Sequence, residues 1–281
     1  MDAALQIERR PTRLAASSRF GGFKSEAEKS IRAQGVESNP VLDEMKMAWR
    51  ECRPFYFHQI AENYVEILDR ITGLGYSAID VEAFSISLAG FQHEPRFSEK
   101  AGLFLSALIN KCKQDGFTIH TAHIVKPVDY LGYLNTKIIT VEGSVGIQVA
   151  REMIDGSMTI NGDAWNEVGK KMSCGAIVLM GDARDFAGYQ MNDGEITVMG
   201  NADRAVGLHM LGGKITVECN AGSGVGDSMK GGSITVERDA GDGVGFQIGG
   251  GEIQIHGALG TFYKNGCGGK IFHKGELVYP K

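Results

Sequence analysis

A triplet recurs along the second half of the chain: a β-branched residue, a polar position, then a second β-branched residue. It reads Ile196-Thr197-Val198, Ile215-Thr216-Val217 and Ile234-Thr235-Val236, with Ile177-Val178-Leu179 before and Ile253-Gln254-Ile255 after, each nineteen residues from the next. Period-two alternation over so few residues is the pattern of a short strand that buries one face. One such strand cannot cover that face alone, so the repeats must stack.

The rest of the unit keeps the same register. Five units open on Gly162-Asp163-Ala164, Gly181-Asp182-Ala183, Gly200-Asn201-Ala202, Cys219-Asn220-Ala221 and Arg238-Asp239-Ala240. A glycine stands seven positions on (Gly169, Gly188, Gly207, Gly226, Gly245), and three further comes a long apolar residue (Met172, Met191, Met210, Met229, Ile248). A partial unit precedes them, with Ala150 in the glycine slot and Met153 in the methionine slot, and a degraded unit follows.

Nineteen residues with two glycine-bearing corners suits one coil of a β-solenoid, each strand pairing with its equivalent one unit away. The pattern predicts a mainly β fold: a right-handed parallel β-helix of about seven 19-residue coils, preceded by a small α/β or α+β domain. The right hand is the default for parallel crossovers. Met191, Met210 and Met229 are expected inside, beside Ile196, Ile215 and Ile234. A leucine-rich solenoid fits poorly, because Gly, Met and Ile occupy the slots that leucine would need.

Upstream the texture changes. Residues 57–74 read as an amphipathic helix carrying Ile60, Tyr64, Ile67, Leu68 and Ile71 on one face. Residues 76–88 alternate like a strand or hairpin. Residues 98–115 read as a second helix, and 117–125 as a strand that Pro127 stops. Shorter helices are expected over 26–33 and 41–50. The chain therefore divides into a mobile basic tail (1–22), an N-terminal α/β or α+β domain (23–125), a connector (126–142) and the β-helix with a C-terminal cap (143–281).

Composition narrows the function classes. The 281 residues carry a net charge of −5, the wrong sign for nonspecific nucleic-acid binding. No apolar stretch approaches the roughly 18 residues of a membrane span. Cys52, Cys112, Cys174, Cys219 and Cys267 are scattered and never spaced Cys-x-x-Cys, which suits a reduced, cytoplasmic protein using thiols as small apolar side chains. Arg9, Arg10, Arg13 and Arg19 lie beside Asp2 and Glu8, a mixture suited to a basic tail better than to a presequence. Glycine is the anomaly, at 39 residues, most of them after residue 140.

The candidate chemistry has simple structural readings. Gly222-Ser223-Gly224-Val225-Gly226 and Gly241-Asp242-Gly243-Val244-Gly245 have the glycine density of a phosphate loop, but a short strand follows where a long helix is required. The methionine file Met153, Met172, Met191, Met210, Met229 supplies one thioether per coil, which makes a stack and not a coordination sphere. Glu218 and Glu237 share a slot in neighbouring coils and could act as a coupled acid–base pair, or stand as solvated surface relieved by Arg238. Asp163, Asp182, Asn201, Asn220 and Asp239 form a polar file suited to bonding backbone at turns. His120 and His123 lie three apart on an expected strand, where their side chains diverge.

Phe262, Tyr263, Phe272 and Tyr279 form an aromatic cluster near the C-terminus, with Phe262 and Phe272 expected to close the prism and Tyr279 to meet a partner. No catalytic, cofactor-binding or metal-ligating residue is assigned, and no cofactor is expected.

The units quoted above resemble the GXGXG domain family, through Ala221 to Gly226, Ala240 to Gly245 and the recurrent Met-x-Gly-Gly-x-Ile-Thr-Val at Met229 to Val236. That family includes the C-terminal domain of the glutamate synthase large subunit and one of the subunits of formylmethanofuran dehydrogenase. The resemblance covers about half the chain and implies a β-helix used for structure and assembly, with the catalytic chemistry on other domains or subunits. The first 125 residues resemble neither. On this footing the chain is expected to be a non-catalytic structural or assembly subunit, docking an oxidoreductase or amidohydrolase-type partner or copies of itself, with no nucleic acid and no membrane involved. The alternative is an enzyme with its active site in the groove between the N-terminal domain and the first coils.

Overall fold

The computed structural model describes residues 39–52, 59–264, 266 and 268–280. The expected basic tail and the helix expected over 26–33 lie outside these. Four helices come first: α1 (Pro40–Glu51), α2 (Ile60–Ile71), α3 (Ala78–Ser87) and α4 (Phe97–Lys111), with a 3₁₀ turn at Leu88–Phe91 between the last two. In α1, Met45, Ala48 and Trp49 fall on one face and are buried; in α2, Tyr64, Ile67 and Ile71 do the same. Helix α4 is buried along almost its whole length, so the other helices pack around it. Trp49 donates to Glu94 at 3.0 Å, and the Lys100 ammonium sits 4.3 Å from the Trp49 ring centre while pairing with Glu94.

Helix α3 corrects the expectation of a strand or hairpin over 76–88. The alternation there misleads, because Ile79 and Ile86 point to solvent while Val81, Phe84, Ser85 and Leu88 turn inward at helical spacing. The start signal is a capping box. The Asp80 carboxylate accepts both the backbone N–H and the hydroxyl of Ser77, at 2.9 and 2.7 Å.

The strands are β1 (Gly116–His120), β2 (Ile138–Glu142), β3 (Ser157–Asn161), β4 (Ala176–Leu179), β5 (Glu195–Val198), β6 (Lys214–Val217), β7 (Ser233–Val236), β8 (Glu252–Ile255), β9 (Lys270–His273) and β10 (Glu276–Tyr279). They form one sheet in chain order. The nine from β1 to β9 pair in parallel, giving a β-solenoid of about eight turns, and β10 folds back antiparallel on β9. The solenoid starts earlier than the glycine repeat. Residues 116–120 and 138–142, read as parts of the N-terminal domain and its connector, are the first two strands of the sheet. The first escaped the repeat because its step is longer: Gly116 pairs with Ile138, whereas Ile138 pairs with Ser157 and Ile196 with Ile215 at the regular interval.

Inside, the methionine file and the ladders Ile177, Ile196, Ile215, Ile234 and Leu179, Val198, Val217, Val236 are all buried. A second row of bridges runs Val145, Ala164, Ala183, Ala202, Ala221, Ala240, Leu259, where small side chains let the coil walls approach. The corners turn through left-handed backbone at Gly188 and its equivalents. There an added Cβ would also strike the Cδ1 of the isoleucine in the next coil, Ile215 in the case of Gly188.

Both ends of the sheet are covered by the chain itself. Helix α3 packs against β1, and Ser85 accepts the His120 backbone N–H that would otherwise lack a partner. At the far end β10 is four residues long, carries a register shift between Leu277 and Tyr279, and is followed by Pro280, features that blunt an edge. Tyr279 is buried and its hydroxyl donates to the Gly266 carbonyl, so it closes the cap and is not the partner contact expected of it. Phe262 packs on the core as expected, and Tyr263 is the exposed ring, meeting Phe246 edge-on at 4.9 Å.

Candidate functional site

The polar file that opens each coil is a relay between coils. Asp182 donates its N–H to Asp163 Oδ1 at 2.9 Å, Asn201 to Asp182 Oδ1 at 2.6 Å, Asn220 to Asn201 Oδ1 at 3.2 Å and Asp239 to Asn220 Oδ1 at 3.2 Å. Ser144 begins the series and Ala258 ends it. Each side chain satisfies the backbone one coil ahead, so the file is structural, as the turn chemistry implied.

Glu237 meets His256, the residue in its slot one coil on, at 2.7 Å. That contact, and not Arg238, takes up the Glu237 carboxylate. His120 bonds Glu82 and His123 bonds the Ile86 carbonyl, both at 2.9 Å, so the two histidines hold helix α3 instead of converging on a metal. The glycines of both glycine-rich stretches lie at coil corners, Gly224, Gly226, Gly243 and Gly245 with positive φ.

Burial displaces the titration of Asp129 and Cys52. Asp129 ties the first coils together, its Oδ1 accepting the Ile147 N–H at 2.9 Å, and desolvation pushes its carboxyl up to about 6. Burial also pushes the Cys52 thiol up to about 11, which keeps it protonated and unreactive.

Among the grooves on the flanks of the solenoid, two bear on function. The first, about 360 Å³, lies where residues 121–128 leave β1 and pass Gly143, Ser144, Val145 and Trp165. Its lining is mixed, with Val125 and Trp165 exposed, and its one titratable side chain is Lys126. This is the groove beside the first coils that the enzyme alternative requires, and its chemistry suits contact better than proton transfer. The second, about 450 Å³, crosses four coils and is lined by Lys171, Gln190, Asn192, His209, Leu211 and Lys230. None of these was singled out in the sequence. The signal was positional: each residue lies one step to either side of a buried methionine, so polar or charged residues there face outward together.

No protein-family model matches the chain, and no curated protein matches it. Among solved structures it is similar to a chain of the formyltransferase/hydrolase complex from Methylorubrum extorquens in complex with methylofuran. Identity is 22%, the TM-score is 0.40, and the match covers 46% of this chain and 58% of that one. This chain thus matches little more than half of that one's length. Among the described residues no helix is long and apolar enough to cross a membrane.

Proposed function

We propose that the chain is a structural, non-catalytic subunit that docks a protein partner within a larger assembly. The observation that carries this reading is where the molecule is closed and where it is open. Both ends of the sheet are covered by its own elements, α3 on β1 and β10 on β9, while the flanks carry open grooves. End-to-end stacking of solenoids therefore loses its basis, and contact falls to the flanks. The resemblance of the repeats to GXGXG domains supports the same role, and with it a place in an oxidoreductase or amidohydrolase-type complex.

Isolation from the native source under mild conditions, followed by native mass spectrometry, tests the reading. The expected result is a stoichiometric complex heavier than the 30.3 kDa chain. Recovery of a lone monomer, at physiological concentration and ionic strength, would overturn it and move the enzyme reading ahead.

A further inference from the structure

We propose that the second groove binds an extended acidic peptide segment of a partner protein, seating two carboxylates on Lys171 and Lys230. The proposal rests on the assembly reading above and names the chemistry by which the partner is held.

The groove is built from cations and amides. Lys171 and Lys230 stand at its two ends and His209 between them, with Gln190 and Asn192 in the wall. Among the described residues no carboxylate lies within ion-pair distance of Lys171, Lys230 or His209, although the chain as a whole carries a net charge of −5. The acidic residues flanking the groove along the chain and its files already have partners, Asp193 beside Asn192 accepting the Gly194 N–H. Glu152, one coil before Lys171, is held by Arg151 and Tyr133; Glu167 by Lys170 and Gln148; Asp227 by the Ser228 hydroxyl. A positive strip on an acidic protein steers and selects an acidic ligand.

The spacing selects an extended peptide. Lys171 and Lys230 are three coils apart, about 14 Å along the axis at the ~4.8 Å spacing of paired strands, and two positions apart round the coil, on either side of the methionine file. Four residues of extended chain also span about 14 Å at ~3.4 Å each, and side chains four apart project from the same face. A strand crossing the groove obliquely from one file to the other, with carboxylates at positions i and i+4, reaches both ammonium groups at the ends of their flexible side chains. Gln190 and Asn192 then face its backbone, offering amide donors and acceptors, and Leu211, 48% exposed, supplies an apolar contact midway.

The test uses the full-length chain and a fluorescein-labelled nonapeptide, Ser-Thr-Glu-Thr-Gly-Thr-Glu-Thr-Ser, read by anisotropy. Saturable binding is expected that weakens as salt rises, is lost when both glutamates are replaced by glutamine, and falls about tenfold or more in the Lys171→Ala/Lys230→Ala variant. Lys274→Ala, at the exposed cap hairpin, should bind like the wild type, and circular dichroism should show the double variant folded. Absence of saturable binding, equal binding of the glutamine peptide, or an unchanged double variant would each overturn the proposal. Displacement by inorganic tripolyphosphate at or below the peptide's own concentration would overturn it too, in favour of a free polyanion. The two readings fail separately: a heavy complex from the native source, together with a purified chain that binds no peptide, sinks the groove alone, whereas a lone monomer from the native source sinks the assembly subunit.

Discussion

The Ser85 hydroxyl accepts the backbone N–H of His120 at 3.1 Å, so a helix side chain takes the place that a further coil's carbonyl would hold. Ser85 is itself buried, and its own proton goes to the Glu82 carbonyl. Ser85→Ala is expected to strand a buried donor at the mouth of the sheet. The cost should be about 1–3 kcal/mol, read as a lower midpoint in urea denaturation. An unchanged midpoint would show that water reaches this edge and that α3 does not seal it.

Gly188 and Ile215 make a second testable pair. Gly188 has φ of 70°, and a Cβ there would collide with the Ile215 Cδ1 methyl. Gly188→Ala should destabilise by about 1–3 kcal/mol through backbone strain and overpacking together. Ile215→Val deletes the colliding methyl, so the double variant should be more stable than the sum of the two single losses predicts. Strict additivity would place the whole cost in the backbone. The chain contains a precedent, since Ala150 occupies the same slot with φ of 55° and is buried.

Truncating one rung of the methionine file tests the core. Met210 is fully buried between successive coils, and Met210→Ala is expected to cost about 2–5 kcal/mol by equilibrium denaturation. Met180→Ala should cost well under 1 kcal/mol, because that side chain is half exposed at a strand end. Equal losses for the two would contradict the burial pattern.

Asp129 predicts a pH dependence with a definite sign. Burial raises its folded-state pKa to about 6 from 3.8, so the fold favours the protonated carboxyl. Its contribution is fully present below the unfolded value and is lost as pH rises through about 6. Wild type should therefore lose up to about 2–3 kcal/mol from this group between pH 4 and 7. Asp129→Asn keeps an oxygen for the Ile147 N–H and removes the charge, so its stability profile should be flatter over that window. Parallel profiles for the two proteins would sink the assignment.

The solenoid was legible because its information is repeated. Gly188, Met191 and Ile196 each recur at the same interval, and a packing requirement stated five times outweighs local noise. The same logic explains where reading stopped. The step from Gly116 to Ile138 is longer, which puts β1 out of register, while β2 keeps the interval to β3 but follows Lys137 where Gly156 and Gly175 precede the later strands, so it passed for a connector. Helix α3 was misread because its exposed residues complete two short alternations, Ile79 with Val81 and Ile86 with Phe84 and Leu88; the Ser77 and Asp80 capping pair was the better guide. Tyr279 looked like a contact residue from its place near the tail, and only the antiparallel turn of β10 brings it back over Gly266. The groove at Lys171 and Lys230 depends on residues 59 apart in sequence becoming neighbours three coils apart in space, which the repeat implies only once its two outward files are tracked beside the methionines.

The relay from Asp163 to Ala258 has a consequence for how this molecule can change in length. Each rung serves the backbone one coil ahead, and each strand alternates between interior and solvent. Losing one residue within a middle coil would turn Ile196 outward and Thr197 inward, and would misalign every later rung. Losing nineteen removes one layer and leaves every remaining side chain where it was. The two irregular steps lie at the ends, from Gly116 to Ile138 and from Glu252 to Lys270, where α3 and β10 absorb the mismatch. The molecule is quantised: it can be shortened or extended by whole layers from the middle, and by single residues only at its lids.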